Sequence, residues 1–219
     1  MASIIDICNL GLSHIGSDAQ VASISPPDGS VEAGHCARLW PIVRTELFES
    51  AAWTFSKARV LLAAVTNPST VWAYAYGLPS NSLSPLRVLK SFVLSSYGFV
   101  VPYTYGYVSP SELAIFDERG SADFEVEGTT LLTNEPSAVL LYVQDVTDPS
   151  RYSPSFVVAA GYLMASYLAG PLIKGTEGAT AGAKFRQVGM AAAAAAATKD
   201  ANNSSEPASF VSDAIRART

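Results

Sequence analysis

Two histidines and two cysteines, His14, His35, Cys8 and Cys36, are the residues of this 219-residue chain whose types suit metal ligation. Zinc sites draw such residues from short, regular spacings that turn the donors toward one point. His35 and Cys36 are adjacent, so on a helix their side chains diverge by about 100°. The chain also lacks any C-x-x-C or H-x-x-x-H pair. No metal site is expected, and both cysteines read as small buried hydrophobes rather than a disulfide framework.

Other chemistry-bearing patterns are equally incomplete. The carboxylates Glu112, Asp117, Glu118, Asp123, Glu125 and Glu127 crowd one region. A small hydrolase using a converging pair is one alternative reading, with a solvated acidic face as the simpler one. GTEGATAGAK is glycine-rich but lacks the G-K-[ST] ending and the preceding strand of a phosphate loop, so no nucleotide cofactor is expected. GLSHIG lacks the G-x-S-x-G order of a nucleophile elbow and falls at a helix end. Tyr103, Tyr105 and Tyr107 alternate in a tyrosine-rich segment, which without neighbouring cations reads as an aromatic sheet face or protein interface rather than a nucleic-acid platform.

Composition narrows the class. The hydrophobic share is 49% and the charged share 15%, against a usual charged share of about 25%. So little charge points to surface buried in an oligomer. A net charge of −5 repels phosphates, and specific DNA binding is not expected. MASIIDIC shows no basic region and no cleavage pattern, so synthesis in the cytoplasm is expected.

The elements that would position these residues begin with a helix from Ile4 to Ile15. Ser3 is its cap, Asp6 its capping-box partner, and Gly16 is placed to end it in the left-handed conformation. The connector SDAQVASISPPDGS carries a turn signal at Pro26-Pro27-Asp28-Gly29. A second helix runs from Val31 to about Trp53 with one stripe of Cys36, Leu39/Trp40, Val43, Leu47 and Ala51. Pro41 sits inside it. The missing donor and the collision with the Ala37 carbonyl predict a structural kink or short break near His35 to Trp40. Trp53 and Phe55 are bulky enough to anchor the core, and the helical pattern continues over Lys57 to Val65 before stopping at TNPST.

From Val71 to about Val146 the residues turn β-like. VWAYAYGLP places Trp72, Tyr74 and Tyr76 on one side, LRVLKSFVL is a second strand, and DFEVEGTTLLTN is a hairpin turning at Gly128. AVLLYVQDV closes a set of four to six short strands. Ser153-Pro154 then opens a helix. The uncharged run Phe156 to Ile173 is long enough for a membrane span. Gly161, Ser166, Gly170 and Pro171 dilute it and no basic cluster flanks it, so a core helix is preferred over a membrane-associated module. Gly161, Ala165 and Ala169 recur every fourth position, which admits another helix closely. A loop, IKGTEG, leads to an alanine-rich helix through Lys199. The remainder opens as a polar linker and ends in Phe210, Val211, Ile215, Arg216 and Arg218, a patch fit to dock on a partner.

The fold expected is α+β: a helical bundle body (1–66 with 150–199), an inserted antiparallel β subdomain (67–149) and an extended, flexible C-terminal tail (200–219). In this order the pieces resemble the tail tubular protein A family, the head-to-tail adaptors of short-tailed bacteriophages. The resemblance rests on NLGLSHIGSDAQVASI, CARLWPIVRTELFESAAWTFSKAR, WAYAYGLPSNSLSPLRVL, FEVEGTTLLTN and YVQDVTDPSRYSPSFVVAAGYLMASYLAGPL, which span most of residues 9–172. It implies a virion protein with no active site, assembled as a homo-oligomeric ring of twelve subunits between the portal protein and the tail nozzle protein. Double-stranded DNA would pass through without specific binding, and no membrane is involved. On that reading residues 210–218 face the portal and Tyr103, Tyr105 and Tyr107 face the nozzle.

Overall fold

The computed structural model describes residues 2–89, 92–94, 100–102 and 121–203. Among these residues four α-helices, two four-stranded antiparallel sheets and a two-stranded hairpin make an α+β protein.

Helix α1 spans Ile4–His14 and starts as its sequence dictates, with Ser3 Oγ accepting from Asp6 N and the Asp6 carboxylate accepting from Ser3 N. Gly16 takes φ 76° just past its end. The connector is pinned by Asn9, whose side-chain amide exchanges two hydrogen bonds with the Val21 backbone. Asp28 gathers Ser30 Oγ (2.6 Å), Ala22 N (2.8 Å) and Ser30 N (2.9 Å), which hold its carboxyl down to about 2.

Helix α2 spans Val31–Ser50. Cys36, Trp40, Val43, Leu47 and Phe48 form its buried stripe, much as the spacing predicts. Of the kink or short break expected near Pro41, no break occurs: the helix is continuous through the proline, whose ring lies on the exposed face. The helix ends at Ser50, three residues short of the expected Trp53.

Lys57 to Val65, expected to be helical, instead forms strands β1 (Lys57–Leu61) and β2 (Ala63–Ala64). A short apolar run satisfies either period, and pairing with a later strand decides it. That partner is β10 (Val139–Gln144), in register from Lys57↔Val143 to Leu61↔Val139. The other strands are β3 (Tyr74–Gly77), β4 (Ser82–Leu89), β5 (Phe92–Leu94), β6 (Val100–Pro102), β7 (Ser121–Ala122), β8 (Phe124–Glu127) and β9 (Thr130–Thr133). The β8–β9 hairpin turns at Gly128, φ 60°, as expected.

The sheets run β1-β10-β4-β7 and β2-β3-β9-β8. Residues 57–64 and 121–127 each begin in the first sheet and finish in the second. These two corners wrap the sheets around one core of Leu62, Tyr76, Val88, Ala122, Leu131, Ala138, Leu140 and Tyr142. Closing a sheet this way removes much of the exposed edge that would invite strand pairing. Between β10 and β4 the register skips Leu86 and again Leu83, two bulges that bend β4. Both skipped leucines pack on the helical core, so one strand serves both hydrophobic centres.

The last two helices are α3 (Pro154–Ile173), capped by Ser153 Oγ on Phe156 N, and α4 (Gly175–Ala201). The loop expected between them reduces to Lys174, which turns the chain at φ 61°. α3 packs on the other three helices and buries nine of its own residues. Its mean hydropathy of 1.7 with half the window buried fits a core helix. Its small residues are used as predicted. A Cβ on Gly161 would stand 2.6 Å from Leu10 Cδ2 of α1, and glycines of α4 press on the α3 backbone in the same way. Around Phe156, rings from Phe48, Trp53, Phe55 and Tyr152 sit 4.8 to 5.4 Å away, centroid to centroid.

Candidate functional site

The metal candidates separate on folding. Cys8 and Cys36 meet fully buried between α1 and α2, where the hydrogen bond to Cys36 and burial together push the Cys8 thiol well above the ordinary range. A thiol so held is a poor nucleophile and a poor metal ligand. His14 lies elsewhere, stacked on Tyr162 with centroids 4.1 Å apart, while His35 Nδ1 faces Arg38 Nη2 at 3.0 Å. Among the described residues no three His, Cys, Asp or Glu side chains form a group able to hold a metal ion.

Of the acidic cluster, Glu112, Asp117 and Glu118 lie outside the described residues. Glu125 is exposed and its Oε2 accepts from Trp72 Nε1 at 3.0 Å, and Glu127 is also exposed. Asp123 lies at the β7–β8 corner beside a cleft of about 180 Å³. Its backbone carbonyl accepts from Thr133 Oγ1, a bond that fixes the corner rather than poising an acid. Tyr103, Tyr105 and Tyr107, and Phe210, Val211, Ile215, Arg216 and Arg218, also lie outside the described residues.

What the fold does assemble is a cleft of about 550 Å³ between α2, α3 and α4. Arg186 of α4 reaches across to Glu46 of α2 through both Nη atoms. Tyr167 of α3 donates to Glu46 Oε2 at 2.9 Å, and the Arg186 guanidinium stands 5.9 Å from the Tyr167 ring centre. This fork fixes one wall. Pro41 and Ile42 supply an exposed apolar floor, and Glu49 stands at one end with no hydrogen bond or ion pair among the described residues. The cleft has no nucleophile beside a base. It offers apolar contact at Pro41 and Ile42 flanked by the Glu49 carboxylate.

Sequence reasoning missed this fork, since Glu46, Tyr167 and Arg186 belong to three helices with no shared motif. A second link was equally hidden: Arg44 Nη2 donates to Asp145 Oδ2 at 2.9 Å, joining α2 to the end of β10. Around it Arg44 Nε, Asp145 Oδ1 and Ser82 Oγ are buried without a hydrogen-bond partner among the described residues. That makes the junction costly to disturb further. No protein-family model and no curated protein sequence matches this chain.

Proposed function

We propose that this chain is a structural virion protein, a head-to-tail adaptor. In this reading twelve copies form a ring between portal and tail nozzle, in the neck of the virion, around a channel through which DNA slides. The observation that carries the reading is the run of five motifs spanning most of residues 9–172 in the order of the tail tubular protein A family.

The roles of the motif residues support it. Asn9 ties α1 to Val21, Gly128 turns a hairpin, Ser153 caps α3, and Arg44 and Asp145 join helix to sheet. They are joints of a scaffold, not members of a reacting group. The exposed face of α4 adds support, because Val188, Met190, Ala191, Ala194 and Ala195 present apolar side chains to solvent. Another copy covering that face would gain its apolar area. No catalysis and no cofactor belong to the proposal. The body, described as a helical bundle, and residues 200–219 would face the portal, and the β subdomain the nozzle.

Negative-stain microscopy and mass measurement with purified portal test it. A ring seated on the portal is expected, and deleting residues 205–219 should weaken attachment. A chain that stays monomeric and unattached in the presence of portal overturns the proposal.

A further inference from the structure

We propose that Cys8 and Cys36 form a redox staple, a disulfide that closes between α1 and α2 when the chain meets a small-molecule disulfide oxidant such as oxidised glutathione. The inference stands on the core of the helical body and does not depend on the adaptor reading.

These are the two cysteines of the chain, and folding brings them together from different helices. Both are free and 0% exposed within one hydrophobic core. Cys8 donates its S–H to the Cys36 sulfur, so the two side chains face each other directly. A disulfide needs the sulfurs to close to about 2.05 Å, and a pair already in hydrogen-bond contact starts near that geometry.

The oxidant gains access by local opening. The connector between α1 and α2, residues 16–30, has Val21 as its one buried residue, tied to α1 through the Asn9 amide. An element joined to the rest by so exposed a segment can open without global unfolding. Cys36, whose thiolate is favoured by the bond from Cys8, attacks the oxidant first and releases one small thiol. The fully buried site has no room for the bulky group left on Cys36, so reclosure of α1 works against the mixed disulfide. Cys8 then attacks the Cys36 sulfur, its proton goes to the departing thiolate, and a second small thiol leaves. Proximity serves where the raised Cys8 thiol lacks nucleophilic strength. The pair loses two electrons and two protons, both taken up by the oxidant. The new bond closes a loop over residues 8–36, which restricts the unfolded chain, and a reducing compartment reopens it.

Treating the folded full chain with oxidised glutathione, then measuring its mass and its urea unfolding, tests the proposal. Cleavage after Glu32 separates the two cysteines unless a bond joins them. A monomer lighter by two hydrogens is expected, with the peptides on either side of Glu32 linked until dithiothreitol is added. Its unfolding constant at a fixed urea concentration should be about a hundredfold lower than that of the reduced chain. Cys36→Ala under the same treatment should show no such gain. Thiols that stay free under conditions that oxidise the urea-unfolded chain overturn the proposal. So do a lasting glutathione adduct, a linked dimer, a linked monomer no more stable than the reduced chain, or an equal gain in Cys36→Ala.

Discussion

Asp200, near the end of α4, accepts from Thr54 at both carboxylate oxygens, Oδ2 from the backbone N–H at 2.6 Å and Oδ1 from the hydroxyl at 2.7 Å. Asp200 is nearly buried, at 7% exposure, and Thr54 is half-buried, so losing the carboxylate leaves a backbone donor that water reaches only in part. Asp200→Ala should cost about 1–3 kcal/mol in urea unfolding, the usual penalty for an unmet buried donor. Asp200→Asn keeps one acceptor oxygen and should cost less. Equal losses for the two would show that shape rather than hydrogen bonding holds α4 to the end of α2.

The glycines of α4 are spaced to let it lie against the α3 backbone. A Cβ at Gly182 would stand 2.9 Å from the Ser166 carbonyl oxygen and one at Gly178 would stand 2.8 Å from that of Ala169. Backbone cannot swing aside as a side chain can. Gly182→Ala should therefore destabilise by about 1–3 kcal/mol despite the better helix propensity of alanine. Gly34→Ala, in α2, meets nothing within 4 Å and should stabilise by up to about 1 kcal/mol. Thermal melts of the two variants moving in opposite directions would establish the contact.

This contrast marks what the sequence could disclose. Local signals were legible: the Ser3 and Ser153 caps, Gly16 and Gly128, the buried stripe of α2 and the close-packing residues of α3 all act where they were expected. Features fixed by distant partners were not. Lys57 to Leu61 is a strand only because Val139 to Val143 lies beside it, and a periodic reading of KARVL has no access to that partner. The Glu46, Tyr167 and Arg186 fork, the Arg44–Asp145 pair and the Asp200–Thr54 bonds join residues about 100 or more positions apart, and polar residues at such distance carry no local pattern. Pro41 marks a limit of a different kind, since its local rule allowed a break and the helix is continuous through it.

The Arg44–Asp145 ion pair should behave as a junction between helices and sheet. Its side chains are 17% and 26% exposed, so water screens it only in part. Arg44→Met should cost about 2–3 kcal/mol, because it leaves the carboxylate half-buried without its cation. Combining it with Asp145→Asn removes that charge as well, so the double variant should be more stable than the sum of the single losses predicts. Additive losses in a double-mutant cycle would mean that the two residues stabilise the fold separately.

His14 gives the fold a pH dependence with a definite sign. It sits near the end of α1 against Tyr162 and Phe185, and its Nε2 is buried without a hydrogen-bond partner among the described residues. Burial lowers its pKa, so the folded chain favours the neutral imidazole. The unfolded chain takes up that proton from about pH 6.5 downward. Between the two pKa values the unfolded state binds more protons, and stability must therefore fall as pH falls below about 6.5. His14→Phe keeps the ring stack and removes the titration. Urea midpoints measured from pH 7 to pH 5 should fall less in that variant than in the parent chain. Parallel pH profiles would show that the imidazole is solvated in both states and that other groups set the acid response.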